Sequence, residues 1–170
     1  MITEHKSGIP PRVLSGGQFA FPIQQLLAGY SGVCANVPGD RVLGGWILPP
    51  FQRPAVWTRV QQVRLIESIW LGIPIGVFIF NMRRNGSGPH DGWLLDGQQR
   101  MTALLGYVND GFEVFGLRWS DLEHREHRRF YMTPLACIET QFDTAEECRE
   151  IYDRMAYGGT PHETKGDAGE

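Results

Sequence analysis

The sequence has few cysteines and no long apolar run, and these absences exclude several classes of protein. Its three cysteines, Cys34, Cys137 and Cys148, are an odd number at wide spacings, which argues against a disulfide framework and against a zinc site. No stretch approaches the roughly 18 apolar residues that span a membrane. Residues 1–12 contain no apolar core of a signal peptide. We therefore expect a cytoplasmic protein with reduced thiols and no membrane contact.

An excess of basic residues is also absent. The 16 Lys and Arg residues are outnumbered by 19 Asp and Glu residues, which gives a net charge of −3. This balance excludes a uniformly basic nucleic-acid binder, so any contact with DNA would have to be made by a local basic patch.

The length and composition predict one domain. The chain has 170 residues, of which 42% are hydrophobic, and this is enough for one compact core but too little for two ordinary domains. Its 21 Gly and 11 Pro residues separate apolar segments and form no low-complexity block. Because both ends are polar, we predict a flexible arm over residues 1–17, a folded domain over residues 18–160 and a flexible tail over residues 161–170.

Capping signals and hydrophobic periodicity predict helices alternating with short strands. Capping-box spacings predict helices that begin after Thr58 and Thr144 and end near Leu71 and Ala156. A third helix is predicted to run from the segment around residue 97 to Asn109. Apolar, β-branched runs predict extended segments over residues 42–48, 75–80, 93–95 and 129–139.

The strongest candidate site is the turn from Asp96 to Arg100, between a predicted strand and a predicted helix. A helix start presents unpaired backbone N–H groups and the positive end of the helix dipole, so it attracts an anion. Gly97 allows close approach of the backbone, and the planar fork of Arg100 can grip phosphate oxygens. Gln98 and Gln99 offer donors and acceptors to a sugar or a base edge.

Asp96 is the residue of this turn that does not suit a bare phosphate, because its carboxylate repels the phosphate. Its presence suggests that it holds Mg²⁺, orients Arg100, or activates a water or hydroxyl. The plainer alternative is that Asp96 caps the helix while Arg100 pairs with a surface acid. The residue types alone do not decide between these roles.

Three ordered segments resemble one family. Residues 93–105, WLLDGQQRMTALL, resemble the Asp-Gly-Gln-Gln-Arg segment of the N-terminal domain of GmrSD-type restriction enzymes, within the wider ParB/sulfiredoxin-like superfamily. Residues 48–57, LPPFQRPAVW, resemble its aromatic-Gln-Arg-x-x-x-Trp stretch, and residues 151–160, IYDRMAYGGT, resemble a late segment that commonly reads Arg-x-Asn-x-Gly-Gly. Together the resemblance covers about residues 42–161.

The resemblance implies an α/β (α+β) fold in which helices flank a small mixed sheet. It also implies binding of a nucleoside triphosphate, often with hydrolysis that would use Mg²⁺ held by Asp96, coupled in full-length relatives to DNA cleavage by a separate nuclease domain. The implied catalytic residues are Asp96, Gln99 and Arg100. The implied nucleotide or phosphate contacts are Gln52, Arg53, Gly97, Gln98, Arg100, Gly158, Gly159 and Thr160.

Some of these residues also have plainer interpretations. Arg53 could be a solvated loop arginine, and Gly158-Gly159 could only end a helix. Ala156 stands where relatives usually carry Asn, which weakens the case for turnover more than the case for binding. No His-containing nuclease motif is present, so we do not expect this chain alone to cut DNA.

The charged segment around residues 124–129 is the remaining candidate. His124 and His127 lie three residues apart but lack the HExxH spacing, so we expect a solvated charged face rather than a metal site. The best candidates for a DNA-backbone patch are the arginines at this segment and at one loop, namely Arg125, Arg128 and Arg129 with Arg83 and Arg84.

Three functions therefore compete. The first is nucleoside triphosphate binding with phosphohydrolase activity. The second is a non-catalytic regulatory or DNA-associated module that serves a phage or a defence system by binding a partner, such as a separate nuclease subunit. The third is direct nuclease activity at Asp96. Phosphate release from a nucleotide would indicate the first function, and nucleotide binding without turnover would indicate the second. Metal-dependent nicking of DNA would indicate the third.

Overall fold

Strands of the chain form one open mixed sheet. The computed structural model describes residues 14, 16–29, 39–83 and 88–157. Within these residues the strands are β1 (Gly17–Pro22), β2 (Arg41–Leu43), β3 (Trp46–Leu48), β4 (Phe78–Asn81), β5 (Trp93–Asp96) and β6 (Pro134–Thr140). The strand order in the sheet is β1-β6-β4-β5-β3-β2. The pairs β3–β5 and β4–β6 are parallel, and the other neighbouring pairs are antiparallel.

Helices cover both faces of this sheet. They are α1 (Ile23–Ala28), α2 (Arg59–Trp70), α3 (Gln98–Val108), α4 (His124–Tyr131) and α5 (Ala145–Tyr157), with a 3₁₀ turn at Trp119–Asp121. Helices α1 to α4 share the larger core with one face, and α5 packs on the other face. This arrangement confirms the predicted α/β (α+β) class. No helix in the described ranges is both long and apolar enough to cross a membrane.

The central strands are apolar on both sides because both of their faces are covered. In β4, Phe78 and Phe80 enter the larger core, whereas Ile79 points to the cluster beneath α5. In β5, Leu94 enters the larger core and Leu95 packs in the cluster beneath α5. Successive side chains of a strand point to opposite faces, so these short apolar runs supply both cores at once.

Helix starts follow their predicted capping signals. In α2 the Thr58 side chain accepts a hydrogen bond from Gln61 N, and the Gln61 side chain accepts one from Thr58 N. At α5 the same exchange joins Thr144 and Glu147. Each reciprocal pair satisfies two backbone donors that the first helical turn leaves open. The predicted helix start after residue 97 is likewise confirmed by α3.

The predicted single extended segment over residues 42–48 is wrong, because β2 and β3 form a two-residue hairpin instead. Its turn consists of Gly44 and Gly45, and Gly44 has φ +62°. A turn between paired strands requires left-handed backbone, which glycine adopts without steric penalty. The adjacent glycines between two apolar runs were the sequence signal for this turn.

The predicted strand over residues 75–80 begins later, at Phe78. Gly76 has φ +87°, which interrupts extended backbone. The carbonyls of Ile75 and Val77 accept hydrogen bonds from the Arg100 side chain and are not part of a strand. The entry to β4 is therefore organised by a side chain of α3.

The predicted extended segment over residues 129–139 is helical at its beginning. Helix α4 continues to Tyr131, and β6 starts at Pro134. At the start of the helix the Glu126 side chain accepts a hydrogen bond from Glu123 N, and the helix buries Phe130 in the core. Burial of this aromatic ring favours the helix over the extended form that local composition indicated.

Candidate functional site

The three sequence segments that carry the family resemblance converge on one cleft of about 180 Å³. Residues 48–57 contribute the loop before α2. Residues 93–105 contribute the end of β5 and the start of α3, and residues 151–160 contribute the last part of α5. The lining side chains and backbone belong to Gln52, Arg53, Trp57, Leu95, Asp96, Gly97, Gln98, Gln99, Arg100, Tyr152 and Ala156. Of the predicted site residues, Gly158, Gly159 and Thr160 lie outside the described residues.

Helix α3 begins in this cleft without a side-chain cap. Its N-cap residue is Gly97, with φ +114°, and no side chain accepts a hydrogen bond there. A Cβ atom at Gly97 would lie 2.4 Å from the Phe78 ring, so only glycine suits both the backbone angle and the available space. Among the described residues, the first backbone N–H groups of the helix thus have neither a helical nor a capping partner. The cap role considered for Asp96 is taken by Gly97.

Arg100 forms the floor of the cleft. Its Nη2 donates to Asp96 Oδ2 at 2.7 Å and to Val77 O at 2.9 Å, and its Nη1 donates to Ile75 O at 3.1 Å. The guanidinium carbon lies 4.6 Å from the centroid of the Phe78 ring. Only 11% of the Arg100 side chain is exposed, and three of its five N–H donors form hydrogen bonds within the protein. Arg100 thereby fixes the shape of the cleft, and its positive charge is paired with the Asp96 carboxylate.

Gln99 joins the loop before α2 to the start of α3. Its Oε1 accepts hydrogen bonds from the backbone N–H groups of Val56 and Trp57, both at 3.1 Å. This side chain therefore holds the loop against the start of the helix. Trp57 is half-buried, and its side chain both packs against the larger core and borders the cleft.

Gln52 is buried, with 4% exposure, at the inner wall of the cleft. Its Nε2 donates to the backbone carbonyls of Leu94 and Leu95. These two acceptors fix the orientation of the amide, because only its NH₂ group can donate to them. Gln52 Oε1 has no hydrogen-bond partner among the described residues. A buried acceptor without a partner is costly, so its position beside the cleft points to a donor from a ligand or from water.

Arg53 and α5 form the outer wall. The Arg53 side chain is exposed, and its backbone N donates to Tyr152 Oη at 3.3 Å. The Tyr152 ring also packs against Phe51, with ring centroids 5.5 Å apart. Tyr152 was missed as a site residue by the sequence reasoning, because its helical spacing beside buried Ile151 resembles ordinary core packing. Ala156 borders the cleft, so the departure from the family pattern falls in the site.

The charges of the cleft favour an anion. Among the described residues that line the cleft, Arg53 and Arg100 carry positive charge, and the one carboxylate, Asp96, is paired with Arg100. The dipole of α3 adds partial positive charge at the same place. No group of three or more His, Cys, Asp or Glu side chains suitable for a metal ion occurs within the described ranges.

The charged segment on α4 lies outside this cleft. His127 stacks on Trp119, with ring centroids 4.4 Å apart, and its Nε2 lies 2.8 Å from the Trp119 carbonyl. Arg125 and Arg128 are exposed, whereas the Arg129 guanidinium lies over the Trp70 ring at the end of α2. In the loop before β5, the Arg83 charge is balanced by two acids, Asp91 and Asp143. Arg84 lies outside the described residues.

The two described cysteines are buried in the cores. Burial raises the pKa of Cys137 to about 11 and the pKa of Cys148 to about 12. Both thiols are consequently protonated near neutral pH, and the thiolate that nucleophilic chemistry needs is suppressed. Cys34 lies outside the described residues.

Comparisons with known proteins identify one family. Residues 37–164 match the family described as the GmrSD restriction endonuclease, N-terminal domain. No curated protein and no solved structure matches the chain significantly. The matched region contains every residue that lines the cleft. The chain therefore belongs to the family of GmrSD restriction endonuclease N-terminal domains.

Proposed function

We propose that this domain binds a nucleoside triphosphate, with phosphate oxygens at the N-terminus of α3, as part of a restriction or defence system. The observation that carries the proposal is the convergence of three motif segments on a helix start that no described side chain caps. Unpaired N–H groups, the helix dipole and excess positive charge at one place favour a phosphate. The name of the family supplies the restriction context.

The side chains around the cleft divide into ligand contacts and positioning residues. Arg53 is exposed at the rim, where its guanidinium can reach phosphate oxygens. Gln98 is half-buried on the first turn of α3 and offers a neutral amide to the ligand. Arg100 and Gln99 act through the protein, because their contacts hold the entry to β4 and the loop before α2.

Gln52 gives the proposal a further polar contact. Its buried Oε1 accepts hydrogen bonds only, so it suits a hydroxyl or an N–H group of a nucleoside and not a phosphate oxygen. A ligand that carries both an anion and such a donor would satisfy the helix start and Gln52 together. A nucleotide has both.

Mg²⁺ fits this site only together with the ligand. Asp96 is the one carboxylate among the described lining residues, and its Oδ2 is paired with Arg100. Mg²⁺ in nucleotide sites is commonly held through one or two carboxylates, substrate phosphates and waters. Asp96 Oδ1 would be the protein ligand, and the ion would neutralise charge on the phosphates. A resident ion would have too few protein ligands among the described residues.

Binding without turnover is the second candidate function, and one observation favours it. Ala156 places a methyl group at the cleft where relatives usually carry an amide. With Asp96 engaged by Arg100, the part of the cleft that the structure describes has no second carboxylate to act as a base toward an attacking water. Such a domain would act as a regulatory module that reports nucleotide to a partner.

Calorimetric titration with ATP, GTP, CTP and UTP in Mg²⁺ tests binding. We expect at least one nucleotide to bind, and Arg53→Ala to weaken binding by about 10- to 100-fold through the loss of a charge-assisted contact. Arg64→Ala is the matched control, because Arg64 is an exposed arginine of α2 that does not line the cleft. If wild-type protein binds none of the four nucleotides, the proposal is wrong.

Phosphate release separates the two candidate functions. Release by wild-type protein that is abolished in Asp96→Asn supports hydrolysis, whereas binding with no release supports the regulatory module. Incubation of plasmid DNA with Mg²⁺ or Mn²⁺ tests the nuclease alternative, for which we expect no nicking.

A further inference from the structure

A second groove lies away from the nucleotide cleft and shares no lining residue with it. It has a volume of about 340 Å³ and lies between α2, α3, α4 and the loop that follows α3. The groove is lined by Trp70, Leu71, Tyr107, Val114, Phe115, Leu117, Leu122, Glu126 and Arg129. Leu71 is 66% exposed, Phe115 is 60% exposed and Leu117 is 44% exposed. Three exposed apolar side chains around one apolar groove are typical of an interaction surface.

Phe115 stands at the tip of a tight turn in an unfavourable backbone conformation. The turn joins Val114 and Leu117, which pair through mutual backbone hydrogen bonds of 2.9 and 3.1 Å. Phe115 has φ +54° and Gly116 has φ +79°. A turn with two left-handed residues normally carries Asn, Asp or Gly at the first of them, and a bulky aromatic there is strained. This turn leaves the large apolar Phe115 side chain 60% exposed at the edge of the groove.

We propose that this groove binds a second copy of the chain in a two-fold symmetric dimer, with Phe115 of each copy inserted into the groove of the other. The protruding ring and the groove are adjacent on one face, so a two-fold axis brings each ring opposite the partner's groove. A volume of 340 Å³ falls within the range of about 300–1,000 Å³ found for binding pockets. It therefore accommodates an aromatic side chain.

The charges of the groove are also self-complementary. Glu126 and Arg129 lie three residues apart on α4, and both border the groove. Arg129 lies against Trp70, with its guanidinium carbon 5.7 Å from the ring centroid. When two α4 helices meet antiparallel across a two-fold axis, Glu126 of one copy faces Arg129 of the other, twice. Opposite charges on one rim therefore select a second copy of this chain as the occupant.

Sedimentation velocity of the full chain over a range of concentrations tests the dimer. We expect reversible dimerisation by wild-type protein and at least about tenfold weaker association by Phe115→Asn, which removes a buried aromatic anchor. Asn tolerates left-handed backbone, so the variant should keep its thermal midpoint. Val42→Ser is the control, because Val42 is 49% exposed but does not line the groove. Wild-type protein that stays monomeric at high concentration, or a dimer unaffected by Phe115→Asn, overturns the proposal.

Charge reversal tests the orientation of the two copies. Glu126→Arg alone and Arg129→Glu alone should each dimerise poorly, because each places like charges opposite one another. An equimolar mixture of the two variants should form a heterodimer, since Arg at 126 then faces Glu at 129 at both contacts. Failure of the mixture to associate, when wild-type protein dimerises, rules out the proposed arrangement.

Discussion

Asp96 Oδ2 and Arg100 Nη2 lie 2.7 Å apart across the start of α3. This pair joins the end of β5 to the first turn of the helix, and the same guanidinium reaches two carbonyls before β4. One arginine thus connects three parts of the chain beneath the cleft. Its main structural role is to position the site.

Removal of the carboxylate should destabilise the fold. Arg100 is only 11% exposed, so Asp96→Ala leaves a largely buried cation with fewer partners. Because Asp96 itself is about one-third exposed, we expect a modest loss of about 1–3 kcal/mol in the free energy of unfolding, measured by urea denaturation. Asp153→Ala is the control, since it breaks an exposed pair with Arg149 and should cost less than about 1 kcal/mol. Equal losses in the two variants contradict this role.

Substitution of Gly97 should destabilise the protein for two separable reasons. Gly97→Ala introduces both a strained φ of +114° and a clash with the Phe78 ring. Gly72→Ala is the matched variant, because Gly72 has φ +74° but no atom within 4 Å of an added Cβ. We expect Gly72→Ala to cost about 1–2 kcal/mol and Gly97→Ala about 1–3 kcal/mol more. If Gly97→Ala costs no more than Gly72→Ala, the Phe78 ring moves aside freely and the predicted clash is contradicted.

Loss of the Gln99 amide should loosen the loop before α2. Gln99→Leu removes the acceptor for the backbone N–H groups of Val56 and Trp57. We expect faster hydrogen exchange at these two amides and weaker nucleotide binding, with a smaller change in global stability. In Gln98→Leu the two amides should retain wild-type exchange, because this side chain does not hold the loop. Unchanged exchange in Gln99→Leu contradicts the positioning role.

The buried thiols should make stability fall at alkaline pH. The pKa values of Cys137 and Cys148 are raised to about 11 and about 12 in the folded protein. Above the ordinary thiol pKa of about 8.5, the unfolded chain loses these protons first, so the free energy of unfolding decreases as pH rises. Each thiol contributes a slope approaching about 1.4 kcal/mol per pH unit. Urea denaturation from pH 8 to 11 should show a shallower decrease in Cys148→Ala than in the wild type.

Local sequence signals predicted three of the five α-helices in the described residues and the turn at the start of α3 that lies in the cleft. Capping pairs at Thr58 and Thr144 are short-range, so the sequence predicts their helices directly. Strand β1, helix α1, the Gly44-Gly45 hairpin and helix α4 were missed. Apolar runs indicate burial without showing where the chain turns, and burial of Phe130 decided the form of its segment.

The contacts that organise the site could not be predicted from the sequence. The acceptors of Arg100 are carbonyls of Ile75 and Val77, which lie 25 and 23 residues away along the chain. Any residue type supplies a carbonyl, so no motif marks these partners. The same applies to Gln52, whose donors reach the carbonyls of Leu94 and Leu95. The groove beside Phe115 depends on a backbone angle and had no sequence signal.

The most direct test of nucleotide binding at α3 is NMR titration of backbone amides with a nucleoside triphosphate and Mg²⁺. If phosphate oxygens bind at the helix start, the amide resonances of Gln98, Gln99 and Arg100 should show the largest shifts. The Gln52 side-chain amide should also shift, whereas amides of the groove around Phe115 should not. Saturating nucleotide that leaves these three backbone amides unchanged would contradict the proposed site.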